Sequence, residues 1–122
     1  MTQEQKELLL KDLSARLPYG VKCKLIYNNK AIKDEDATLF GIDKYGSFLF
    51  AEFGEDTRKF VCKPYLFPLS SMTEKQEYQY REVIASSLNH YEVYDWLNRN
   101  HFDYRGLIEK GLAIDATRQN VY

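Results

Sequence analysis

The spacing of apolar residues changes twice along this chain, and the two changes restrict its fold more than any other feature. Up to Leu17 the apolar side chains recur at helical intervals, with Leu10, Leu13 and Leu17 on one stripe. From Val21 the interval drops to two, and Val21, Cys23, Leu25 and Tyr27 alternate with Lys22, Lys24 and Ile26. Beyond residue 73 the helical interval returns. A helix, then strands, then further helices, segregated along the chain, describe an α+β domain.

Punctuation residues set the boundaries. Thr2 and Gln5 form a capping-box pattern that predicts a helix over 3–17 within the segment 1–19, ended by Pro18 and Gly20. Residues 20–63 read as an antiparallel β meander of about four short strands. Its strand segments are 21–27, 37–42, 47–53 and 58–62, with turns at Asn28-Asn29, Asp43–Gly46 and Phe53–Asp56. A strip that short must curl or be covered, which favours an SH3-like partly closed barrel with the first helix over one end. Residues 64–72, bounded by Pro64 and Pro68, read as an extended connector outside the sheet, because proline has no N–H for a ladder.

Residues 73–115 read as helices. Ser71 with Glu74, or Thr73 with Gln76, caps a helix over about 74–88 that carries Tyr80, Ile84 and Leu88 on one face. Asn89 caps another over 90–99, with Val93, Trp96 and Leu97 inward. Asp103 opens a short one that ends at Gly111, and the polar residues after Asp115 are expected to fray. With 122 residues, 15% of them aromatic, the chain fits one domain over 1–122.

Charge narrows the partners. The net charge is −1, with residues 1–73 summing to +1 and residues 74–122 to −2. Nucleic-acid binders draw most of their affinity from phosphate neutralisation by a basic excess, so a nucleic-acid partner is not expected. No apolar run approaches the length of a membrane span, and the charged start of the chain is unlike a signal peptide, so the expectation is a cytoplasmic protein without membrane contact.

The sequence offers little that can do chemistry. Cys23, Cys62, His90 and His101 lack the short spacings of zinc sites, and the acidic run Asp34-Glu35-Asp36 lacks the alternating ligands and glycine of a calcium loop; no metal is expected. Neither cysteine sits in a nucleophile motif, and the six glycines never cluster into a phosphate-cradling loop; no cofactor is expected. His101 reads as a turn residue, and Tyr45, Phe48 and Phe50 as rings of the sheet, with Phe48 and Phe50 on its core face.

The connector is the better candidate. Extended between two prolines, Leu66 points to the core while Tyr65 and Phe67 share the outer side, where two stiffly held rings suit a binding hot spot. Tyr104 and Arg105 from the C-terminal part are expected to complete that patch.

Two stretches, Lys63-Pro-Tyr-Leu-Phe-Pro-Leu-Ser-Ser-Met-Thr73 and Trp96-Leu-Asn-Arg-Asn-His-Phe-Asp-Tyr-Arg-Gly-Leu-Ile-Glu-Lys-Gly-Leu-Ala113, together with the layout of the whole chain, resemble a family of small proteins from phages, prophages and mobile elements of gut Bacteroidales. That family has a basic residue where Phe67 stands. It carries no assigned activity, so the resemblance implies a setting and no mechanism. The expected function is a non-catalytic module that binds a protein partner, with a nucleic-acid-associated accessory role as the alternative and a small enzyme as the third reading.

Overall fold

A computed structural model describes residues 2–27, 30–31, 36–44, 46–50 and 61–122. The expected turns at Asn28-Asn29 and Phe53–Asp56, the strand residues 51–53 and 58–60, Tyr45, and Asp34 and Glu35 of the acidic run lie outside these.

Helix α1 spans Gln3–Arg16 and starts from the expected capping box: Gln5 N donates to Thr2 Oγ1 at 3.1 Å and Thr2 N to Gln5 Oε1 at 3.0 Å. A 3₁₀ turn, Leu17–Tyr19, carries the chain past Pro18. The buried face of α1 is Leu9, Asp12, Leu13 and Arg16. The expected stripe holds at Leu13, whereas Leu10 and Leu17 are half-buried. Apolarity alone misplaced that face, because Asp12 and Arg16 neutralise each other and go inside with the leucines.

Seven strands form among the described residues: β1 Lys22–Tyr27, β2 Lys30–Ala31, β3 Ala37–Ile42, β4 Phe48–Phe50, β5 Val61–Pro68, β6 Phe102–Asp103 and β7 Ile114–Asp115. Val21, Cys23 and Leu25 are buried, as their alternation requires. The β3–β4 hairpin closes as expected, with Gly46 N on Asp43 O at 3.0 Å and Ser47 N on the Asp43 carboxylate at 2.9 Å. Gly46 has φ +79°, which a residue with a Cβ resists.

The strand order corrects the meander. It runs β4-β3-β1-β5-β6, with β2 also on β1 and β7 on β5. β1 is central, antiparallel to β3 on one side and β5 on the other, so β4 and β5, consecutive in the chain, are not neighbours in the sheet. Among the described residues the sheet is open, ending at β4 and β6, and does not close as the SH3-like barrel would.

The connector is corrected too. Residues 64–68 belong to β5, which pairs antiparallel with β1 (Cys23↔Pro64 to Ile26↔Val61) and parallel with β7 and β6. Each proline is the last residue of a ladder, Pro64 against β1 and Pro68 against β6, so its missing N–H costs no mid-ladder bond. Phe67 between them donates its N–H to His101 O at 2.8 Å.

Helices α2 (Glu74–Ser86) and α3 (His90–Arg99) fill the crossover that parallel β5–β6 pairing demands. The Thr73–Gln76 capping box opens α2, and Asn89 Oδ1 accepts from Tyr91 N at the start of α3. Ile84 and Leu88 are not on an inner face, Leu88 being 97% exposed. Tyr80 and Val83 make the contact with α3 instead, and Trp96 and Leu97 are buried as expected.

The expected fourth helix is one hydrogen-bonded turn. The Asp103 carboxylate accepts from Leu107 N at 3.0 Å and Ile108 N at 2.9 Å. Leu112 N on Leu107 O and Gly111 N on Ile108 O then close it as a Schellman motif, with Gly111 at φ +73°. The chain beyond Asp115 is docked rather than frayed: Ala116 is fully buried, and the Tyr122 hydroxyl accepts from Lys22 N and donates to Tyr65 O, both at 2.9 Å.

Two apolar clusters result. One lies between α1 and the sheet, centred on Leu13, Val21, Cys23, Leu39, Leu66 and Leu107. The other is a run of stacked rings: Tyr80 on Trp96 at 5.6 Å between centroids, Trp96 on Phe102 at 5.7 Å, and Phe102 against Phe67 at 6.2 Å.

Candidate binding groove

The two clusters meet where α1 passes α3, and there an ion network fixes the loop after β6. The Asp12 carboxylate accepts three bonds: Arg16 Nε at 2.8 Å, Arg16 Nη2 at 3.2 Å and Arg105 Nη1 at 2.9 Å. Arg16 Nη2 also donates to Phe102 O at 2.6 Å, tying α1 to β6. The side chains of Asp12 and Arg16 are fully buried, and that of Arg105 is 19% exposed. The Tyr104 ring lies 4.7 Å from the Arg105 guanidinium and 5.4 Å from that of Arg16, within cation–π reach of both.

Above this network lies a groove of about 700 Å³. One wall is α1 and the turn after it, through Lys11, Ser14, Ala15 and Pro18; the other is α3, through Tyr91, Tyr94, Asp95 and Asn98. Each set follows the i, i+3, i+4, i+7 spacing of a single helix face. Tyr104 and Arg105 close it. Tyr94 packs on Tyr104 at 5.1 Å between centroids, and the Tyr104 hydroxyl donates to Asn98 Oδ1 at 2.9 Å.

Asp95 is the acid of the α3 wall, and its charge is answered within the fold. Arg99 donates to it at 2.9 Å and the Tyr19 hydroxyl makes a short bond to it. The Tyr19 bond first, and Arg99 second, hold the Asp95 carboxyl below the usual range, while the same bond raises the Tyr19 phenol. The Lys11 ammonium, the Asn98 amide N–H₂ and the Tyr91 and Tyr94 hydroxyls have no hydrogen-bond partner among the described residues. The groove therefore offers donors and ring faces and few open acceptors.

Of the four residues singled out in the sequence, the structure brings Tyr104 and Arg105 into this groove and leaves Tyr65 and Phe67 outside it. The expected outer patch of Tyr65 and Phe67 is corrected: Tyr65 is 2% exposed and Phe67 is half-buried between Phe102 and Tyr122. β5 is covered on both faces, Leu66 packing under α1 while β7 and the C-terminal residues return beside Tyr65. Burial, and a hydrogen bond to Asp36, push the Tyr65 phenol well up. Lys11, Tyr91, Tyr94 and Asn98 escaped the sequence reading. The signal was present as Tyr91 and Tyr94 three apart on a helix whose inner face was already taken by Val93, Trp96 and Leu97.

The other reactive side chains lie elsewhere. Cys23 and Cys62 are buried neighbours, and burial, then the contact with Cys62, raises the Cys23 thiol well above its ordinary value. His101, at φ +62°, stacks on Tyr122 at 3.8 Å, and burial first and the Arg16 charge second lower its pKa to about 4. Among the described residues no three His, Cys, Asp or Glu side chains gather as metal ligands, and no helix is long and apolar enough to cross a membrane. No protein-family model matches the chain, and neither a curated protein nor a solved structure does.

Proposed function

We propose that this chain is a non-catalytic protein-interaction module whose contact surface is the groove between α1 and α3. The observation that carries the reading is the Asp12–Arg16–Arg105 network, which holds Tyr104 and Arg105 rigidly at the closed part of an otherwise open, ring-lined groove. Tyrosine and arginine on a preorganised surface lose little side-chain freedom on binding, and they dominate binding hot spots for that reason. The buried Cys23, whose thiol stays protonated, supports a binding role over a catalytic one, since it offers no thiolate to solvent. The setting we infer is the cytoplasm of a cell carrying a phage or mobile element, where two neighbouring thiols stay reduced.

A nucleic-acid-associated role has one observation on its side, the rings of Tyr91 and Tyr94 beside Lys11 and Arg105. The net charge of −1 weighs against it.

The test is quantitative capture from the source cell with the wild type, the Tyr91→Ala/Tyr94→Ala double variant and Tyr78→Ala, which alters an exposed ring on α2. A protein retained by wild type and Tyr78→Ala, and lost from the double variant at unchanged melting temperature, is the expected result. Retention by all three removes the groove from the interaction.

A further inference from the structure

The charges and donors of the groove restrict what fills it. Lys11 is exposed and has no ion pair among the described residues. Arg105 spends one of its five N–H groups on Asp12, and Asn98 spends its carbonyl on Tyr104 and keeps its amide hydrogens. On the acidic side, Asp95 already takes two donors and Asp12 three. The walls thus have spare positive charge and spare donors, and both carboxylates are spoken for.

We propose that the occupant is an acidic, extended segment of a partner protein, with one carboxylate held by Lys11 and Arg105 and a neighbouring apolar or aromatic side chain laid on Tyr94 and Tyr104. This rests on the reading of the groove as a contact surface and adds the chemistry of the partner. A basic segment finds no open carboxylate. A nucleic acid needs a track of cations, and Lys11 and Arg105 are the cations lining this groove. Each wall runs from i to i+7, seven steps of roughly 1.5 Å or about 10 Å in all, which is the length of about three residues of extended chain. The segment is therefore short, and its specificity comes from one carboxylate and one ring contact.

The experiment is a ¹⁵N–¹H shift titration of the full chain with three capped hexapeptides that alternate leucine with glutamate, glutamine or lysine, and with an oligothymidylate. The glutamate peptide is expected to saturate, with shifts concentrated at Lys11, Tyr94, Asn98 and Arg105. The glutamine peptide should bind about tenfold more weakly or worse, the loss of a hydrogen bond to a charged group. Lys11→Glu, an exposed change that leaves the fold intact, should weaken the glutamate peptide by a similar factor. Equal shifts from the glutamine peptide overturn the acidic occupant and leave the groove as a contact surface. Preferential binding of the lysine peptide or the oligothymidylate overturns it as well, as does the absence of any shift in the groove. The groove itself fails separately, when the double tyrosine variant still captures its partner.

Discussion

Arg16 Nε stands 2.8 Å from Asp12 Oδ2 with both side chains sealed from water, and this ion pair beneath the candidate groove is the most deeply buried one among the described residues. Arg16 Nη1 has no partner in this enclosure, which makes the pair sensitive to any loss of its carboxylate. Asp12→Ala should cost about 3 to 5 kcal/mol in urea denaturation, because it strands a buried guanidinium. The paired change Asp12→Leu/Arg16→Met should cost less than Asp12→Ala alone. A double variant worse than the single one would mean that the pair itself, rather than its completeness, carries the stability.

Trp96 is stacked between Tyr80 and Phe102, joining α2 and α3 to β6. Trp96→Ala should destabilise the chain by about 3 to 5 kcal/mol, the usual loss for a truncated core ring. A cooperative melt lowered for the whole chain is expected, read by far-ultraviolet dichroism. A melt in which only helical signal is lost early would show that the sheet stands without the helices.

Those ring contacts also show what the sequence could disclose. Thr2 with Gln5, Thr73 with Gln76, Asn89, Asp43 with Gly46, and Gly111 were legible because each acts within a few residues of itself. The alternation of Val21, Cys23 and Leu25 was legible for the same reason. β5 was not, since proline was weighed as a residue that lacks a donor, and only distant pairing puts Pro64 and Pro68 at ladder ends. Tyr65 was misplaced because its neighbours come from far along the chain, Ile114 of β7 pairing beside it and the Tyr122 hydroxyl, 57 positions away, binding its carbonyl. The sequence groups Tyr104 and Arg105 with Tyr65 and Phe67, whereas the structure sets them beside Lys11 and Tyr94, which come from two helices whose packing no local pattern encodes.

His101 gives the fold a dependence on pH. Its pKa falls from 6.5 to about 4 in the folded chain, while the unfolded chain keeps the ordinary value. The unfolded state therefore binds the proton first, and stability is full above pH 6.5, declines as pH falls from there toward 4, and levels off below. His101→Asn tolerates the positive φ and cannot titrate. Its stability should drop less than that of wild type between pH 7 and pH 5; an equal drop would assign the dependence to other groups.

The C-terminal residues are held by the Tyr122 hydroxyl, which bridges Lys22 N and Tyr65 O. Tyr122→Phe should cost about 1 to 2 kcal/mol for two hydrogen bonds, with the ring stack on His101 and Phe67 retained. Hydrogen exchange should rise at Lys22 and at residues 114–118. Unchanged exchange there would mean that the β7 pairing alone docks the tail.

The groove is tested most directly by a photo-crosslinking residue placed at Tyr91, 75% exposed on its α3 wall, and separately at Tyr78, 66% exposed on α2. Each version is irradiated in the source cell and its adducts are mapped by mass spectrometry. The account requires one dominant protein adduct from position 91, on a segment carrying acidic residues, and none from position 78. The same adduct from position 78, with nothing captured at position 91, would contradict it.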